Sequence, residues 1–330
     1  MERVVVPRFG GSSVLEVRTE PSPVPRPGEV LVKVKACGLN FADIYAREGL
    51  YGPGPPAPFT PGFEVAGETL DGRRVLAVTR FGGYASEVVA EERRLFALPE
   101  GWSFEEGAGF PAVYLTAWHG IVNVARMRPG ERLLVHSAAG GVGIAAGQIA
   151  RTLGLEAIGT VGSDAKVETA KAAGYAQVLN YRASDWEKEI APVDVVLDAI
   201  GASFFMKGYR LLRPNGRLLC FGLAGMTPRG RRPSWPRLAL EWLKLPRWNP
   251  IQLIDDNKTV AGFQVLRLWD QLEVLERAMK DLLALAAKGE VRPVIGARFP
   301  LREVARAHEL LHSGESRGKI VLVTGPGDIK

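Results

Sequence analysis

The chain has 330 residues, of which 46% are hydrophobic, and a formal net charge of +6. This length allows two domains with substantial cores, and the modest positive charge suits anionic ligands without indicating a nucleic acid partner. Two cysteines and four histidines exclude a disulfide framework and a cysteine-rich metal centre. No apolar run approaches the roughly 18 residues of a membrane span and no signal peptide is recognisable, so we expect a cytoplasmic protein.

The first hundred residues predict a compact domain rich in β-structure. Short apolar or alternating runs between glycine and proline turns are typical of strands. We predict strands at residues 3–6, 15–18, 30–36, 74–78 and 84–89. Residues 40–47 predict a short helix that ends at Gly49, and the proline-rich residues 53–58 predict an extended loop.

Residues 132–162 predict a strand, a helix and a second strand. The short apolar run at 133–135 is typical of a strand that is buried on both faces of a parallel sheet. Helical spacing follows over 144–153, and residues 157–161 return as a strand. Together they form a unit of the kind that binds dinucleotides.

Between that first strand and the helix lies the turn SAAGGVG, residues 137–143. A pyrophosphate binds at a helix N-terminus where backbone N–H groups face it and no side chain intervenes. We expect Gly140 to allow the tight turn and Gly143 to let the helix pack closely on the strand. Ala138 stands where the Gly-x-Gly-x-x-Gly fingerprint has its first glycine. The predicted cofactor contacts of the turn are Ala139, Gly140, Gly141, Val142 and Gly143. The alternative is a tight turn that binds no ligand.

The end of the second strand indicates which dinucleotide binds. NAD sites usually carry Asp or Glu there, which accepts hydrogen bonds from the ribose 2′-hydroxyl, but this chain has Val161-Gly162-Ser163. A 2′-phosphate suits hydroxyls and cations, and those nearby are Ser163, Lys166, Tyr181 and Arg182. Asp164 argues against a phosphate unless it caps the next helix, and the alternative for Lys166 is a solvated helix lysine. We therefore predict NADP(H).

The remaining elements complete an α/β fold. Strands are predicted at 177–179, 194–198, 217–222, 259–265 and 319–323, and helices at 104–109, 113–122, 270–288 and 301–312. Strands that alternate with helices indicate a doubly wound parallel sheet of the Rossmann type. We place this dinucleotide-binding domain at residues 118–265 and a β-rich catalytic domain at residues 1–117 and 266–330.

Five motifs follow one another along the chain. They are CGLNFADIYAREGLY from Cys37, TPGFEVAG from Thr60, LVHSAAGGVG from Leu134, LNYR from Leu179 and RGKIVLV from Arg317. In this order they resemble the zinc-independent quinone oxidoreductases of the medium-chain dehydrogenase/reductase superfamily, and in particular the vesicle amine transport protein branch. The resemblance implies a GroES-like catalytic domain beside the Rossmann domain, and a homodimer. The chain departs from the family in the shortened segment 68–75, at the rim of the catalytic domain.

The resemblance also implies cofactor contacts outside the glycine-rich turn. The residues at the matching positions are Thr116, Phe221, Gly222, Phe263, Arg317 and Lys319. The alternative for Thr116 is a helix hydroxyl that hydrogen-bonds its own backbone.

Catalytic zinc is not expected in this chain. The alcohol dehydrogenase relatives hold zinc with Cys and His at two places that carry Asn40 and Phe63 here, and tetrahedral zinc needs three or four ligands. His308 and His312 are spaced as neighbours on a helix, but no acid or third ligand accompanies them. We predict that this pair faces solvent and that no metal is bound.

Hydride transfer without a Lewis acid needs an acceptor that is already electron-poor. A quinone or an α,β-unsaturated carbonyl qualifies, because hydrogen-bond donors then suffice to hold the oxyanion that forms. The polar side chains of the motif that resembles the family's active site are Asn40, Tyr45 and Tyr51. Asn40 can donate its amide to the carbonyl or orient the nicotinamide ribose, and either tyrosine can protonate the product. The alternative for both tyrosines is aromatic packing.

Residues 226–257 stand apart in composition. Arg229-Gly230-Arg231-Arg232 precedes Trp235, Trp242 and Trp248, with leucines between them. A basic cluster beside Trp and Leu suits a membrane surface, a lid over the substrate, or a helix packed on its own core or on a partner subunit. The first of these supports a second hypothesis, a cofactor-binding regulatory or interaction protein that contacts a membrane or RNA with little catalysis.

Overall fold

The computed structural model describes residues 1–225 and 235–325. The described residues of Met1–Leu115 and Leu266–Lys330 form one compact unit, called unit 1. Those of Thr116–Val265 form a second, called unit 2. The chain therefore leaves unit 1 within a helix near residue 115 and returns to it for its last segment.

The secondary structure of the described residues is as follows. The strands are β1 (Glu2–Val5), β2 (Glu16–Thr19), β3 (Glu29–Gly38), β4 (Glu64–Thr69), β5 (Arg74–Val78), β6 (Glu87–Glu91), β7 (Leu95–Ala97), β8 (Arg132–His136), β9 (Glu156–Val161), β10 (Gln177–Asn180), β11 (Val193–Asp198), β12 (Leu212–Cys220), β13 (Thr259–Gly262), β14 (Ile295–Pro300) and β15 (Lys319–Val323). The α-helices are α1 (Phe41–Glu48), α2 (Phe104–Ala108), α3 (Pro111–Trp118), α4 (Gly141–Thr152), α5 (Val167–Ala172), α6 (Trp186–Glu189), α7 (Ser203–Leu211), α8 (Trp235–Leu243), α9 (Pro250–Asp256), α10 (Leu272–Ala287) and α11 (Val304–Ser313).

Unit 1 is built on a sheet in the order β14-β15-β3-β4-β5-β7, with β6 also paired to β3. The long strand β3 alternates as a half-buried strand does, because Val32 and Val34 are buried while Lys33 and Lys35 are exposed. Its last residue, Gly38, has no room for a side chain, since a Cβ there would lie 2.1 Å from the carbonyl oxygen of Ala108. This close approach brings the end of β3 against α2 and next to the start of α1.

Unit 2 is a parallel sheet in the order β10-β9-β8-β11-β12-β13. Counted from β8, this is the 3-2-1-4-5-6 order of doubly wound dinucleotide-binding sheets. The middle residues of its central strands are apolar, and Leu133, Leu134, Val195 and Val196 are fully buried. In such sheets ligands bind outside the carboxyl ends of the strands, where the order reverses, which here is between β8 and β11. The predicted fold class, a Rossmann sheet with a second β-rich domain, is confirmed.

The sequence prediction contains no strand at β7 or β14, and three further strands depart from it. The prediction places no strand at β4, because a glutamate opens it and Gly67 interrupts its apolar run. β6 begins at Glu87 and not at residue 84, because residues 84 and 85 pair with β1 instead. β13 ends at Gly262, three residues earlier than predicted, and the chain then forms a 3₁₀ turn at Val265–Leu268.

His308 and His312 are buried, so the prediction that they face solvent is wrong. His308 Nδ1 lies 3.3 Å from a guanidinium nitrogen of Arg47, and its ring meets the ring of Tyr84 edge-on at 5.8 Å. The ring of His312 meets Phe41 edge-on at 6.3 Å. Helical spacing shows that the two histidines share a face of α11, but it does not show that α1 covers that face.

The segment 226–257 is described only in part, and its predicted basic cluster lies outside the described residues. Of the rest, Leu245, Trp248 and Leu253 pack on the core of unit 2. Other apolar side chains of α8 and α9 are exposed, namely Leu240, Trp242, Leu243, Ile251 and Ile254. Among the residues described, no helix has the length and apolar character needed to cross a membrane.

Candidate active site

The glycine-rich turn brings the N-terminus of α4 to the carboxyl end of β8. Ser137 takes a positive φ of 60°, and its carbonyl oxygen accepts a hydrogen bond of 2.9 Å from the N–H of Gly140. Gly140 is the N-cap with an extended backbone, φ −84°. The left-handed residue of the turn is therefore Ser137 and not Gly140. The N–H groups in the first turn of an α-helix have no intrahelical acceptor, so those after Gly140 form a backbone cradle suited to an anion.

Two close contacts explain the small residues around this cradle. A Cβ on Gly143 would lie 2.3 Å from the Ser137 carbonyl oxygen, so only glycine fits where α4 crosses the end of β8. A Cβ on Gly159 of β9 would lie 2.6 Å from the Cβ of Ala138. The methyl group of Ala138, at the place of the usual first glycine, is thus accommodated because β9 carries a glycine opposite it.

The residues predicted for the 2′-phosphate meet beyond the ends of β9 and β10. Ser163 directly precedes a single 3₁₀ turn that ends at Lys166, and the Lys166 N–H donates to the Ser163 carbonyl at 3.1 Å. The N–H of Tyr181 donates to the carbonyl of Val161 at 3.0 Å. A Cβ on Gly162 would lie 2.7 Å from the Tyr181 hydroxyl oxygen. The hydroxyl of Tyr181 is therefore held beside the backbone that leads to Ser163.

Asp164, the one acidic residue that argued against a phosphate here, has a structural partner. Its carboxylate accepts a hydrogen bond of 2.8 Å from the side-chain amide of Asn180. Arg182 places its guanidinium 5.8 Å from the centre of the Tyr181 ring. The group formed by Ser163, Lys166, Tyr181 and Arg182 thus carries two cations and two hydroxyls at one corner of unit 2.

Three other residues predicted to contact the cofactor gather at the ends of β12 and β13. The rings of Phe221 and Phe263 stack at 5.6 Å, and the ring of Phe263 meets His119 at 5.4 Å. A Cβ on Gly222 would lie 2.7 Å from the carbonyl oxygen of Ala199, so the backbone approaches closely here. Thr116, also predicted, lies on α3 and is half-buried.

Asn40, the central residue of the predicted catalytic set, stands at the N-terminus of α1 in unit 1. Its side-chain Oδ1 accepts a hydrogen bond of 2.8 Å from Lys319 Nζ. Its Nδ2 donates to Glu64 Oε1 at 2.8 Å. An asparagine between Leu39 and Phe41 is expected to find partners when it is buried, and these two partners are a cation and an anion.

Lys319 and Glu64 are themselves deeply buried and satisfied. Their side chains are 4% and 0% exposed and lie 2.7 Å apart. Besides Asn40 and Glu64, Lys319 Nζ donates to the carbonyl oxygen of Leu39 at 2.5 Å, so all three ammonium hydrogens have acceptors. Glu64 Oε2 accepts from the N–H of Ala112 at 2.7 Å. A buried ion pair is stable only with such additional hydrogen bonds.

Asp43 ties the start of α1 to the neighbouring loop. Its carboxylate accepts hydrogen bonds from the N–H of Asn40 at 2.8 Å and from the N–H of Gly62 at 2.9 Å. Burial raises the pKa of this carboxyl to about 7, although the two N–H donors and the nearby Lys319 ammonium work in the opposite direction. Asp43 therefore changes its charge close to neutral pH, one turn of helix from Asn40.

The two tyrosines and Arg317 occupy other positions in unit 1. The ring of Tyr45 packs edge-on against Phe41 at 5.1 Å. The ring of Tyr51 packs against Phe63 at 5.8 Å, and Phe63 immediately precedes Glu64. Both tyrosines are half-buried, and Arg317 is exposed just before β15. Roles for these three residues stay predictions.

Sequence reasoning missed Glu64 and its ion pair with Lys319. The structure places Lys319 in unit 1, against Asn40 and Glu64. The cofactor contact that the resemblance implies for Lys319 stays a prediction. A signal for Glu64 existed, because a lone carboxylate in the otherwise apolar run Phe63–Ala66 predicts a buried partner. The sequence contains no comparable signal for which lysine pairs with it.

Comparison with known proteins places the chain in a family. Two family models match, an alcohol dehydrogenase GroES-like domain over residues 26–100 and a zinc-binding dehydrogenase over residues 173–322. The synaptic vesicle membrane protein VAT-1 homolog of Rattus norvegicus is 35% identical over 340 residues, which cover 98% of this chain and 84% of that protein. The chain belongs to the medium-chain dehydrogenase/reductase family.

Other relatives within this medium-chain dehydrogenase/reductase family are quinone oxidoreductases. That of Homo sapiens is 31% identical, over 98% of each chain. The crystal structure of the quinone oxidoreductase from Thermus thermophilus, which was also solved in complex with NADPH, has a TM-score of 0.85 at 34% identity and covers 98% of this chain and 100% of that one. The resemblance read from the five motifs, including the GroES-like domain, is confirmed.

The described side chains of this chain were also compared with the requirements of a metal site. Over the described ranges, 1–225 and 235–325, no group of three or more His, Cys, Asp or Glu side chains is placed to hold a metal ion. At the two positions discussed for zinc, Asn40 is engaged with Lys319 and Glu64, and Phe63 packs on Tyr51. The absence of zinc from the reaction stays a prediction.

Proposed function

We propose that this protein uses NADPH to reduce a quinone or an α,β-unsaturated carbonyl by hydride transfer without zinc, in the cytoplasm and as a homodimer. The observation that supports the proposal most directly is the hydrogen bonding of the Asn40 carboxamide. One Nδ2 hydrogen is donated to Glu64, and within the described part of the chain the second has no protein acceptor. A half-buried amide N–H held in this way is a ready donor to an oxyanion.

The residues of unit 2 fit NADPH. The cradle at the N-terminus of α4 suits a pyrophosphate, and glycine at position 143 keeps the turn compact. Ser163, Lys166, Tyr181 and Arg182 supply hydroxyls and cations for a 2′-phosphate, and Asp164 is already engaged by Asn180. When it is bound, the reduced nicotinamide supplies the hydride. We assign the 2′-phosphate to this corner because residues 161–163, at the end of β9, include no Asp or Glu.

The hydrogen-bond donor that unit 1 provides, the Asn40 amide, suits an electron-poor acceptor. Hydride arrival places negative charge on the conjugated oxygen of the acceptor, and Asn40 stabilises it with an N–H rather than with a Lewis acid. Simple ketones lack this conjugation and gain much less from one amide donor. Tyr45 and Tyr51 are the candidates to protonate the product.

The test is turnover with a panel of acceptors. Purified protein is given NADPH with benzoquinones, naphthoquinones, cyclic enones and a saturated ketone, and loss of NADPH absorbance is recorded with and without a chelator. We expect reduction of conjugated acceptors alone, unaffected by the chelator. Asn40→Ala should lower kcat by about 10²–10³-fold, the effect of removing one oxyanion donor. An absence of turnover with every conjugated acceptor, or a full loss of activity on chelation, would refute the proposal.

One observation favours the second hypothesis, a cofactor-binding interaction protein. α8 and α9 expose Leu240, Trp242, Leu243, Ile251 and Ile254, and Trp and Leu are typical of helices that bind at membrane surfaces. Sedimentation with vesicles of neutral and anionic lipid, and titration with RNA, test it directly. Binding that disappears when Trp242 and Ile254 are both changed to Ser supports this hypothesis. Absence of binding to vesicles and RNA alike removes it.

A further inference from the structure

We infer that Lys319 is a positioning residue for Asn40, and that together with Glu64 it decides which end of the carboxamide is offered to the acceptor. This inference rests on the proposed function, in which Asn40 donates to the substrate oxygen. Lys319 orients the Asn40 carboxamide from β15, and it lies 279 residues after Asn40 in the chain. Nothing in the local sequence of either residue links them, and only the sheet order, with β15 beside β3, brings them together.

The chemistry of the two partners sets the orientation of the amide. An ammonium group has only donors and a carboxylate has only acceptors, so Lys319 must face the amide oxygen and Glu64 the amide nitrogen. Rotation of the carboxamide by half a turn would set NH₂ against the ammonium and oxygen against the carboxylate. Both contacts, at 2.8 Å each, would then become repulsive. The amide is therefore locked with its remaining N–H available.

Lys319 has no donor left for a cofactor. Its three hydrogens are used by Leu39, Asn40 and Glu64, at 2.5, 2.8 and 2.7 Å, and its side chain is 4% exposed. A lysine that binds a cofactor phosphate needs an exposed ammonium group with at least one unshared hydrogen. We therefore assign to Lys319 an effect on the reaction through Asn40, in place of the direct cofactor contact expected from the resemblance.

Loss of the ammonium would disturb more than one contact. Among the described residues, Glu64 would keep Asn40 and Ala112 as donors. The carboxylate of Asp43 would lose the stabilisation that the Lys319 charge gives it. The carboxamide would then be free to rotate, and the donor would no longer be held at the geometry of the transition state. A misplacement of about 1 Å in a catalytic group can cost about 10²-fold in rate.

The kinetic test compares Lys319→Met, Lys319→Arg, Asn40→Ala and the double variant with both Lys319→Met and Asn40→Ala. Lys319→Met should lower kcat by about 10–100-fold while the Kd for NADPH, measured by fluorescence, stays within about twofold. The double variant should be no slower than Asn40→Ala, because coupled residues are not additive. Lys319→Arg should recover part of the rate, since it keeps the charge but not the compact three-donor geometry. The matched control is Lys35→Met, an exposed lysine whose pair with Glu68 is 3.4 Å long.

Three results, in kcat or in the NADPH Kd, would overturn the inference. Additive losses in the double variant would show that Lys319 and Asn40 act independently. A tenfold rise in the NADPH Kd of Lys319→Met alone would return Lys319 to the cofactor site. An unchanged kcat would show that the contact is structural.

A second measurement does not depend on turnover. With isotope-labelled asparagine, the side-chain amide signal of Asn40 is identified by its loss in Asn40→Ala. We expect two well-separated Nδ2 proton signals, one protected from solvent exchange, that merge towards free-amide values in Lys319→Met. Unchanged signals would overturn the positioning role even if the protein reduces no acceptor, in which case the proposed function fails separately. Should Lys319→Met not fold by circular dichroism, the same readouts are taken on Lys319→Arg, where an unaltered amide and an unaltered kcat count against the inference.

Discussion

Single side chains in this protein owe their chemistry to neighbours that are distant in sequence. Asn40 is half-buried and would otherwise be an ordinary helix N-cap, but a buried lysine and a buried glutamate turn it into an oriented donor. In unit 2, Tyr181 is placed beside Gly162 because β9 and β10 are neighbours in the sheet. At this scale two predictions follow, one for cofactor selection and one for pH.

Lys166→Ala should weaken NADPH binding by about 10–100-fold. The change removes one charge-assisted contact to the 2′-phosphate, worth about 1.5–3 kcal/mol, and NADH has no phosphate at that place. Dissociation constants for both cofactors at fixed ionic strength measure it. Lys171→Ala, on the same segment but exposed and paired with Glu168, is the control. Equal weakening of NADH and NADPH by Lys166→Ala would show that the lysine is structural.

Asp43→Asn should change how stability depends on pH. Burial raises the pKa of Asp43 to about 7 in the folded protein, whereas an unfolded aspartate titrates near pH ~4. Between these values only the folded state holds the proton, so the contribution of Asp43 to stability falls as pH rises, by at most about 1.4 kcal/mol per pH unit. Above pH ~7 both states are ionised and the contribution is constant.

Urea unfolding from acid to neutral pH measures the effect as a difference between wild type and Asp43→Asn. That difference should slope between pH ~4 and ~7 and be flat above. Asp185→Asn, at an exposed pair with Lys188, controls for loss of a surface carboxylate. Parallel curves for wild type and Asp43→Asn across the whole window would contradict the prediction.

At the scale of elements, close packing of β8, α4 and β9 defines the shape of the phosphate cradle. Glycine at position 143 lets α4 approach the end of β8, and glycine at position 159 leaves room for the methyl group of Ala138. The cradle is therefore a property of three elements together. A sequence comparison confined to the turn shows Ala138 as a departure from the glycine fingerprint. Gly159 on the neighbouring strand β9 compensates for it.

Gly159→Ala should destabilise the protein by about 1–3 kcal/mol, the usual cost of overpacking a core. Its new Cβ would lie 2.6 Å from that of Ala138. Adding Ala138→Gly removes the opposing methyl group and should recover more than half of the loss, with a coupling energy of roughly 1 kcal/mol. Urea midpoints of the two single variants and the double variant measure this coupling. Gly262→Ala serves as the neutral control, because the nearest atom to its new Cβ would lie 3.8 Å away. A double variant as unstable as Gly159→Ala would rule out the compensation.

For the whole molecule, the described residues divide into a unit made from both ends of the chain and a unit made from its middle. The division places Asn40 and Lys319 in one unit even though they come from opposite ends of the sequence. It also leaves β13 at the edge of the parallel sheet, with one strand partner among the described residues. Near this strand in the chain, α9 exposes Ile251 and Ile254.

The predicted homodimer can be tested through this surface. An unpaired strand edge and exposed apolar side chains favour association. We expect sedimentation velocity to show a species of twice the chain mass, and expect Ile254→Lys to shift it towards the monomer by placing a charge in the interface. Lys258→Gln, a nearby polar change, should leave the dimer intact. A monomer at all concentrations would contradict the prediction, and a dimer insensitive to Ile254→Lys would place the interface elsewhere.

The sequence by itself determined the features that depend on residues close along the chain. Three features were enough to predict the Rossmann sheet, the family and NADP(H). They are the strand–turn–helix unit at 132–162, the absence of Asp or Glu at residues 161–163 and the order of the five motifs. Hydrophobic periodicity and glycine turns involve residues close in sequence, so they can be recognised without knowledge of the tertiary structure.

Only the tertiary structure decided the features that depend on which distant residues meet. The partners of Asn40, the burial of His308 and His312 on α1, the compensation of Ala138 by Gly159 and the pairing of Tyr84 with β1 each join segments that are far apart in sequence. The identity of a lysine or a histidine does not show whether it is solvated or buried. Its position in the packed fold does, because burial of a charge or an amide is stable only where complementary groups from other elements surround it.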